Sequence, residues 1–141
     1  MSIQQISIFL ANKPGSVSEV LNVLTDAGVD LNALTVADSS KYGVMRLIAN
    51  DPQKALSALK GYAAGITDVI AVRIDDSPGK LAEILNLLRD EQITIEYLYA
   101  FVAPIDGSAY CVLRVPDNTV AEECLQRNGV ILASPEDLYN I

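Results

Sequence analysis

Two Pro-Gly pairs, Pro14-Gly15 and Pro78-Gly79, stand 64 residues apart, each at the mouth of an amphipathic stretch. A helix that begins after such a pair offers unpaired backbone N–H groups and a partial positive charge, a setting suited to a carboxylate. Glycine leaves room for a ligand to approach the backbone. Two residues before each proline is a hydrogen-bond acceptor, Asn12 in one case and Asp76 in the other. The amide oxygen or the carboxylate can accept from an ammonium group. A place for a carboxylate beside a place for an amine describes a site for a free amino acid. The same residues also read as plain strand-to-helix turns, and the physics of the turn leaves both readings open. Lys13 and Lys80, next to the turns, are either ligand anchors or exposed charges.

The turns belong to a longer repetition. Residues 4–63 and 68–129 share one pattern. At the offset of 64, Pro14, Gly15, Glu19, Leu21, Asn22, Leu24, Asp26 and Leu34 meet identical residues, from Pro78 and Gly79 through Leu98. A two-residue insertion then moves the offset to 66, where Asp51, Ala55 and Leu59 meet Asp117, Ala121 and Leu125. A period this long marks a duplicated domain and not a solenoid. We place the units at residues 1–67 and 68–141, the second with a short C-terminal tail. Units of this size are marginal alone, so burial between them is expected.

The elements that carry the turns follow from periodicity. Ile6, Ile8 and Leu10 alternate along a strand from Ile3 to Leu10. Ser16 and Glu19 have the spacing of a capping box, ahead of a helix whose stripe is Val17, Val20, Leu21, Leu24 and Ala27. Gly28 ends it as a left-handed residue. Strands are expected over Val29–Ala37 and Tyr42–Ala49, joined by a turn at Asp38-Ser39-Ser40-Lys41. Asp51-Pro52 opens a second helix, and a short strand is expected at Ala64–Thr67. The second unit gives strands at Val69–Ile74, Ile93–Val102, Ser108–Val115 and Val130–Ala133, helices at Lys80–Asp90 and after Asp117, and a helical tail from Ser134. This α+β order, βαββαβ twice, is the ferredoxin-like plan, with two helices on one face of an antiparallel sheet.

Composition removes several kinds of function. The chain has 10 Lys and Arg against 18 Asp and Glu, for a formal charge of −8, and no cluster of basic residues. That sign opposes nucleic acid and anionic membranes. No apolar run approaches the roughly 20 residues of a membrane span, and no basic leader precedes the first strand, so residence in the cytoplasm is expected. With no histidine there is no Ser–His or Cys–His pair and no ordinary zinc site. Cys111 and Cys124 have no metal or redox spacing and read as buried thiols. Neither catalytic residue, metal nor cofactor is expected. Tyr97, Tyr99 and Phe101 alternate on one strand face and read as packing.

With these residues in hand, the chain resembles tandem ACT-domain proteins, a family of regulatory modules that bind amino acids. The likeness rests on Asn12-Lys13-Pro14-Gly15-Ser16-Val17 and Val29-Asp30-Leu31-Asn32-Ala33-Leu34. In the second copy it rests on Asp76-Ser77-Pro78-Gly79-Lys80-Leu81 and Ile93-Thr94-Ile95-Glu96-Tyr97-Leu98. The resemblance implies two ACT units with sheets side by side, the first loop of one facing the second strand of the other across a bound amino acid. It makes those two loops, with Asn32 and Glu96, the candidate ligand residues. Asp76 and Glu96 replace Asn12 and Asn32 in the second copy, which favours an amino acid with a basic or N–H-donating side chain. Gln92 stands where the first copy has its helix-ending Gly28. The regulated protein would be a separate chain, and the module a homo-oligomer. Two rivals are a dimerisation module that binds no metabolite, and a small enzyme using Asp76 and Glu96 as acid and base.

Overall fold

The structure, a computed structural model, describes residues 2–38 and 41–139. Eleven elements follow in order: β1 (Ile3–Ala11), α1 (Ser16–Asp26), β2 (Leu31–Asp38), β3 (Tyr42–Ala49), α2 (Pro52–Ala58), β4 (Ala63–Ile74), α3 (Lys80–Asp90), β5 (Tyr97–Ala100), β6 (Ala109–Arg114), α4 (Asn118–Arg127) and α5 (Pro135–Tyr139). The expected helices and hairpins are present. Ser39 and Ser40 of the first hairpin turn lie outside the described residues.

The two short strands expected on either side of Asp68 are one strand of 12 residues. The first part of β4, Ala63–Val69, pairs with β1, and the second, Ile70–Ile74, pairs with β6. The result is a single antiparallel sheet in the order β2-β3-β1-β4-β6-β5. Each half is a ferredoxin-like sheet, and the expected junction at 67–68 lies inside the strand they share. The expected last strand at Val130–Ala133 is reduced to one bridge, Leu132 to Val72. It lies alongside β4 through Arg73 N–H to the Ile131 carbonyl and Ala133 N–H to the Ala71 carbonyl. The strand expected over Ile93–Val102 is ordered as ladder only at β5.

Alternation along β4 sorts the molecule into layers. Ala64 and Ile66 pack with Val20, Leu24, Ala55 and Leu59 of α1 and α2. Ile70, Val72 and Ile74 pack with Ile84, Leu88, Ala121 and Leu125 of α3 and α4. These residues share one parity, so the four helices cover one face of the sheet. Val69 and Ala71, of the other parity, join a third cluster with Ile3, Ile48, Tyr99, Tyr110 and Val112. The sheet curls around this third cluster until its edges meet. Ala33 of β2 bridges Phe101 just beyond β5, and Val102 N–H donates to the Asn32 carbonyl at 2.9 Å. Leu138 of α5 closes one end of the enclosed space.

The helix termini show why the Pro-Gly pairs matter locally. The expected capping box is not formed. Gly15, at φ 85, is itself the N-cap, and the equivalent Gly79 has φ 83, with no side-chain cap at either. A left-handed glycine puts Ser16 already inside the helix and buried, and Glu19 instead accepts from the Tyr62 hydroxyl. Asp51 and Asp117 do cap α2 and α4 through their side chains. Gly28 ends α1 at φ 75, and Gln92 takes the same left-handed place after α3 at φ 59. A non-glycine residue there costs about 1–2 kcal/mol, partly offset by the entropy glycine would lose. Gln92→Gly should therefore raise stability by about 0.5–1 kcal/mol, read as a higher urea midpoint at unchanged slope. An unchanged or lower midpoint would show that Gln92 holds contacts worth more than the strain.

Candidate functional site

The two loops end up far apart. Loop 1 follows the end of β1 that pairs with Ala63, and loop 2 follows Ile74 at the other end of β4. Eleven residue steps of strand separate these ends, roughly 35–40 Å. The strands partly compensate by direction. Asn32 opens β2 at the β2–β5 seam, next to the hairpin that overhangs loop 2. Glu96 precedes β5 at the opposite end, where its carboxylate lies 3.6 Å from Arg114.

Loop 2 borders the larger space. Asp76, Ser77, Gly79, Lys80 and Leu81 line an open cavity of about 660 Å³, whose far wall is Pro104, Gly107, Ser108 and Ala109. Among the described residues, the N–H groups of Leu81 and Ala82 in the first turn of α3 have no acceptor; those of Lys80 and Glu83 reach Ser77 and Gly79 carbonyls. The Asp76 carboxylate is exposed and has no partner among the described residues. Its neighbours are engaged: Asp75 with Arg73 at 3.9 Å and Lys80 with Glu83 at 3.3 Å. Leu81, Ala82 and Asp76 thus line one volume, with Ile74, Pro104 and Ala109 as its apolar part. Pro78 shapes the turn without lining the cavity.

Loop 1 is built differently. Lys13 and Ser16 line a smaller space of about 210 Å³, crossed by the Tyr62–Glu19 hydrogen bond. Asn12 is turned to the β2–β3 hairpin: its Nδ2 donates to Asp38 at 3.5 Å, and its Oδ1 lies 3.0 Å from where a Cβ on Gly43 would sit. Pro14, Gly15 and Val17 do not line that space. Asn32 is half-buried, with its Nδ2 sealed from solvent and unpartnered.

Distance separates two of the candidate residues. Asp76 and Glu96 do not share a ligand within one chain. Loop 2 starts beside Ala109, and Glu96 precedes Tyr97, which pairs with Arg114. Five residue steps of β6 lie between, roughly 17 Å. The argument for a basic side chain needed both carboxylates at one ligand, so it does not hold for a single chain. The overhanging hairpin was missed as a site element, although the insertion that shifts the repeat offset from 64 to 66 falls in it.

The setting of the thiols disfavours the thiolate. Both cysteines are buried and unpaired. Burial pushes the Cys111 thiol up to about 11 and raises Cys124 too. Among the described residues, no group of three or more acidic or cysteine side chains is placed to hold a metal ion. Among the described residues no helix is long and apolar enough to cross a membrane.

A family model for an ACT domain pair matches residues 1–141. The chain belongs to the ACT domain pair family. A crystal structure of the protein BT0572 from Bacteroides thetaiotaomicron is 38% identical over 100% of this chain and 98% of that one, with a TM-score of 0.90. The regulatory subunit of aspartate kinase from Thermus thermophilus, in its ligand-free form, is 16% identical over 88% and 91% of the two chains, at a TM-score of 0.62. The corresponding subunit from Thermus flavus is 20% identical over 87% and 88%, at 0.61. The two kinase subunits share the ACT pair fold. No curated protein matches the chain.

Proposed function

We propose that this ACT pair is a non-catalytic regulatory module that senses a free amino acid and acts in the cytoplasm on a separate protein. The observation that carries the reading is the cavity at loop 2. The unpaired N–H groups of Leu81 and Ala82 suit an α-carboxylate, and the free Asp76 carboxylate suits an α-ammonium. The apolar wall opposite favours a neutral side chain. Family membership supports the reading, as does the fold shared with two regulatory subunits of aspartate kinase. The hairpin over loop 2 gives binding a way to be felt elsewhere. It continues into Val102 and the β2–β5 seam, so ordering its tip bears on the contact between the two units.

The test is a thermal-shift screen of the twenty amino acids, followed by calorimetry of any that respond. At a hundredfold excess over Kd, a bound amino acid should stabilise the fold by about 2.7 kcal/mol, a melting shift of roughly 5–10 °C. Asp76→Asn should cost the responding amino acid about 1.5–3 kcal/mol of binding, the range for a hydrogen bond to a charged group. Silence from all twenty would leave the dimerisation module as the better reading.

A further inference from the structure

The curled sheet is closed by Leu138 and its neighbours at one end and open at the other. The open mouth is a cavity of about 320 Å³, lined by Ser7, Phe9, Arg46, Thr67, Tyr97 and Arg114. It lies away from loop 2, and none of its lining residues belongs to either Pro-Gly loop. Its chemistry is unlike the rest of this acidic chain. Two of the five arginines face it. Arg46 is half-buried, and its guanidinium lies 4.0 Å over the Tyr97 ring. Among the described residues no carboxylate stands within 4.0 Å of it. Stacking uses the face of a guanidinium and leaves its N–H edge for a planar partner.

Arg114 is held in place instead. Its Nη1 donates to the Val115 carbonyl at 3.1 Å, and its Nε is 3.6 Å from Glu96. The register brings both cations to this mouth: Arg46 pairs with Ser7 across β3 and β1, and Arg114 pairs with Tyr97 across β6 and β5. The floor adds hydroxyl donors. Gln5 Nε2 donates to Tyr97 Oη at 2.8 Å and to Ser7 Oγ at 3.2 Å, so both oxygens are accepting and keep their own protons to give. Phe9, 52% exposed, and Val44 form an apolar wall.

We propose that this mouth binds a small organic carboxylate with an apolar body. The carboxylate meets the free edge of Arg46 in a bidentate pair, with the Ser7 and Tyr97 hydroxyls as further donors, and the body lies on Phe9 and Val44. Glu96 acts here as a positioning residue for Arg114. This site is independent of the amino-acid reading, since it shares no residue with the loop 2 cavity.

Phenylacetate is the probe, with acetate and inorganic phosphate as comparison, titrated into the full chain by calorimetry and by amide chemical-shift mapping. Phenylacetate should bind with submillimolar Kd, at least tenfold tighter than acetate, and should move the amides of Ser7, Arg46 and Thr67. Binding should weaken with salt. Arg46→Gln should weaken it tenfold or more, while Asp76→Asn leaves it unchanged. The amino-acid response should be insensitive to Arg46→Gln, so the two readings fail separately. Shift mapping on the parent protein decides the case even if a variant folds poorly. No binding of phenylacetate at 10 mM, phosphate in preference to it, shifts confined to loop 2, or an unaltered Kd in a folded Arg46→Gln would each overturn the proposal.

Discussion

Leu24→Ala should lower the unfolding free energy of the entire molecule by about 2–5 kcal/mol, and Leu88→Ala should do the same. The two leucines are equivalent in the repeat and almost fully buried, one on the inner face of α1 and the other on that of α3. Each loses its transfer energy and leaves a cavity that neighbours fill only partly. The informative part is the shape of the transition. β4 runs unbroken from one half into the other, so the two sheets are one continuous ladder. Urea curves followed by far-ultraviolet circular dichroism and by tyrosine fluorescence should therefore coincide in parent and variants. The probes are well separated. Tyr97, Tyr99, Tyr110 and Tyr139 belong to the inner cluster, whereas the dichroism reports mainly the helices outside. Two resolved transitions in Leu24→Ala, one near the parental midpoint, would mean that the halves fold independently.

Gln5→Leu should be nearly as damaging, about 2–4 kcal/mol, although it exchanges a polar residue for an apolar one inside a core. Gln5 has no exposed surface, and its amide is fully used. Oε1 accepts from the Tyr99 hydroxyl at 2.6 Å, and Nε2 donates to Tyr97 and Ser7. Leucine would strand the Tyr99 hydroxyl, whose burial already pushes its pKa far above the ordinary phenol range. Removing both members should cost less than the two single changes combined. Gln5→Leu/Tyr99→Phe should recover about 1–2 kcal/mol of the sum. The measurement is a double-mutant cycle by chemical denaturation. If Gln5→Leu is as stable as the parent, the amide contributes nothing that packing does not replace.

What could be read in advance was local. Gly28, Asp51-Pro52 and Asp117 mark helix ends through the geometry they permit, and each acts in the place expected. Tyr97, Tyr99 and Phe101 read as packing from their alternation, and they line the inner cluster. Asp68 misled because it interrupts an apolar run and looks like a break between strands. Its parity puts it on the helix-covered face, exposed, while its carbonyl accepts from Asn118. An acidic residue can stand there without ending the strand. The closure of β2 onto β5 left no trace in the pattern, because sheet curl sums many small twists. For the same reason nothing in the sequence sets Arg46 and Arg114 apart from other strand residues. Their convergence on Tyr97 exists only once β1, β3, β5 and β6 are in register. The burial of Gln5 is not legible either, since alternation marks a face and says nothing of what will cover it.

The shared strand also fixes where this chain can tolerate a change of length. Sliding one residue along a β-strand exchanges its two faces. In β4 such a slip would turn Ile66, Ile70 and Val72 away from both helix layers and drive Val69 and Ala71 out of the inner cluster in the same stroke. A codon gained or lost there would damage two cores at once, with no nearby loop to absorb it. The hairpin tip at 104–108 has already taken up two extra residues relative to its counterpart in the first half. The tip overhanging loop 2 can therefore change in length, and the cavity beneath it in shape, while the twelve residues of β4 stay fixed in number.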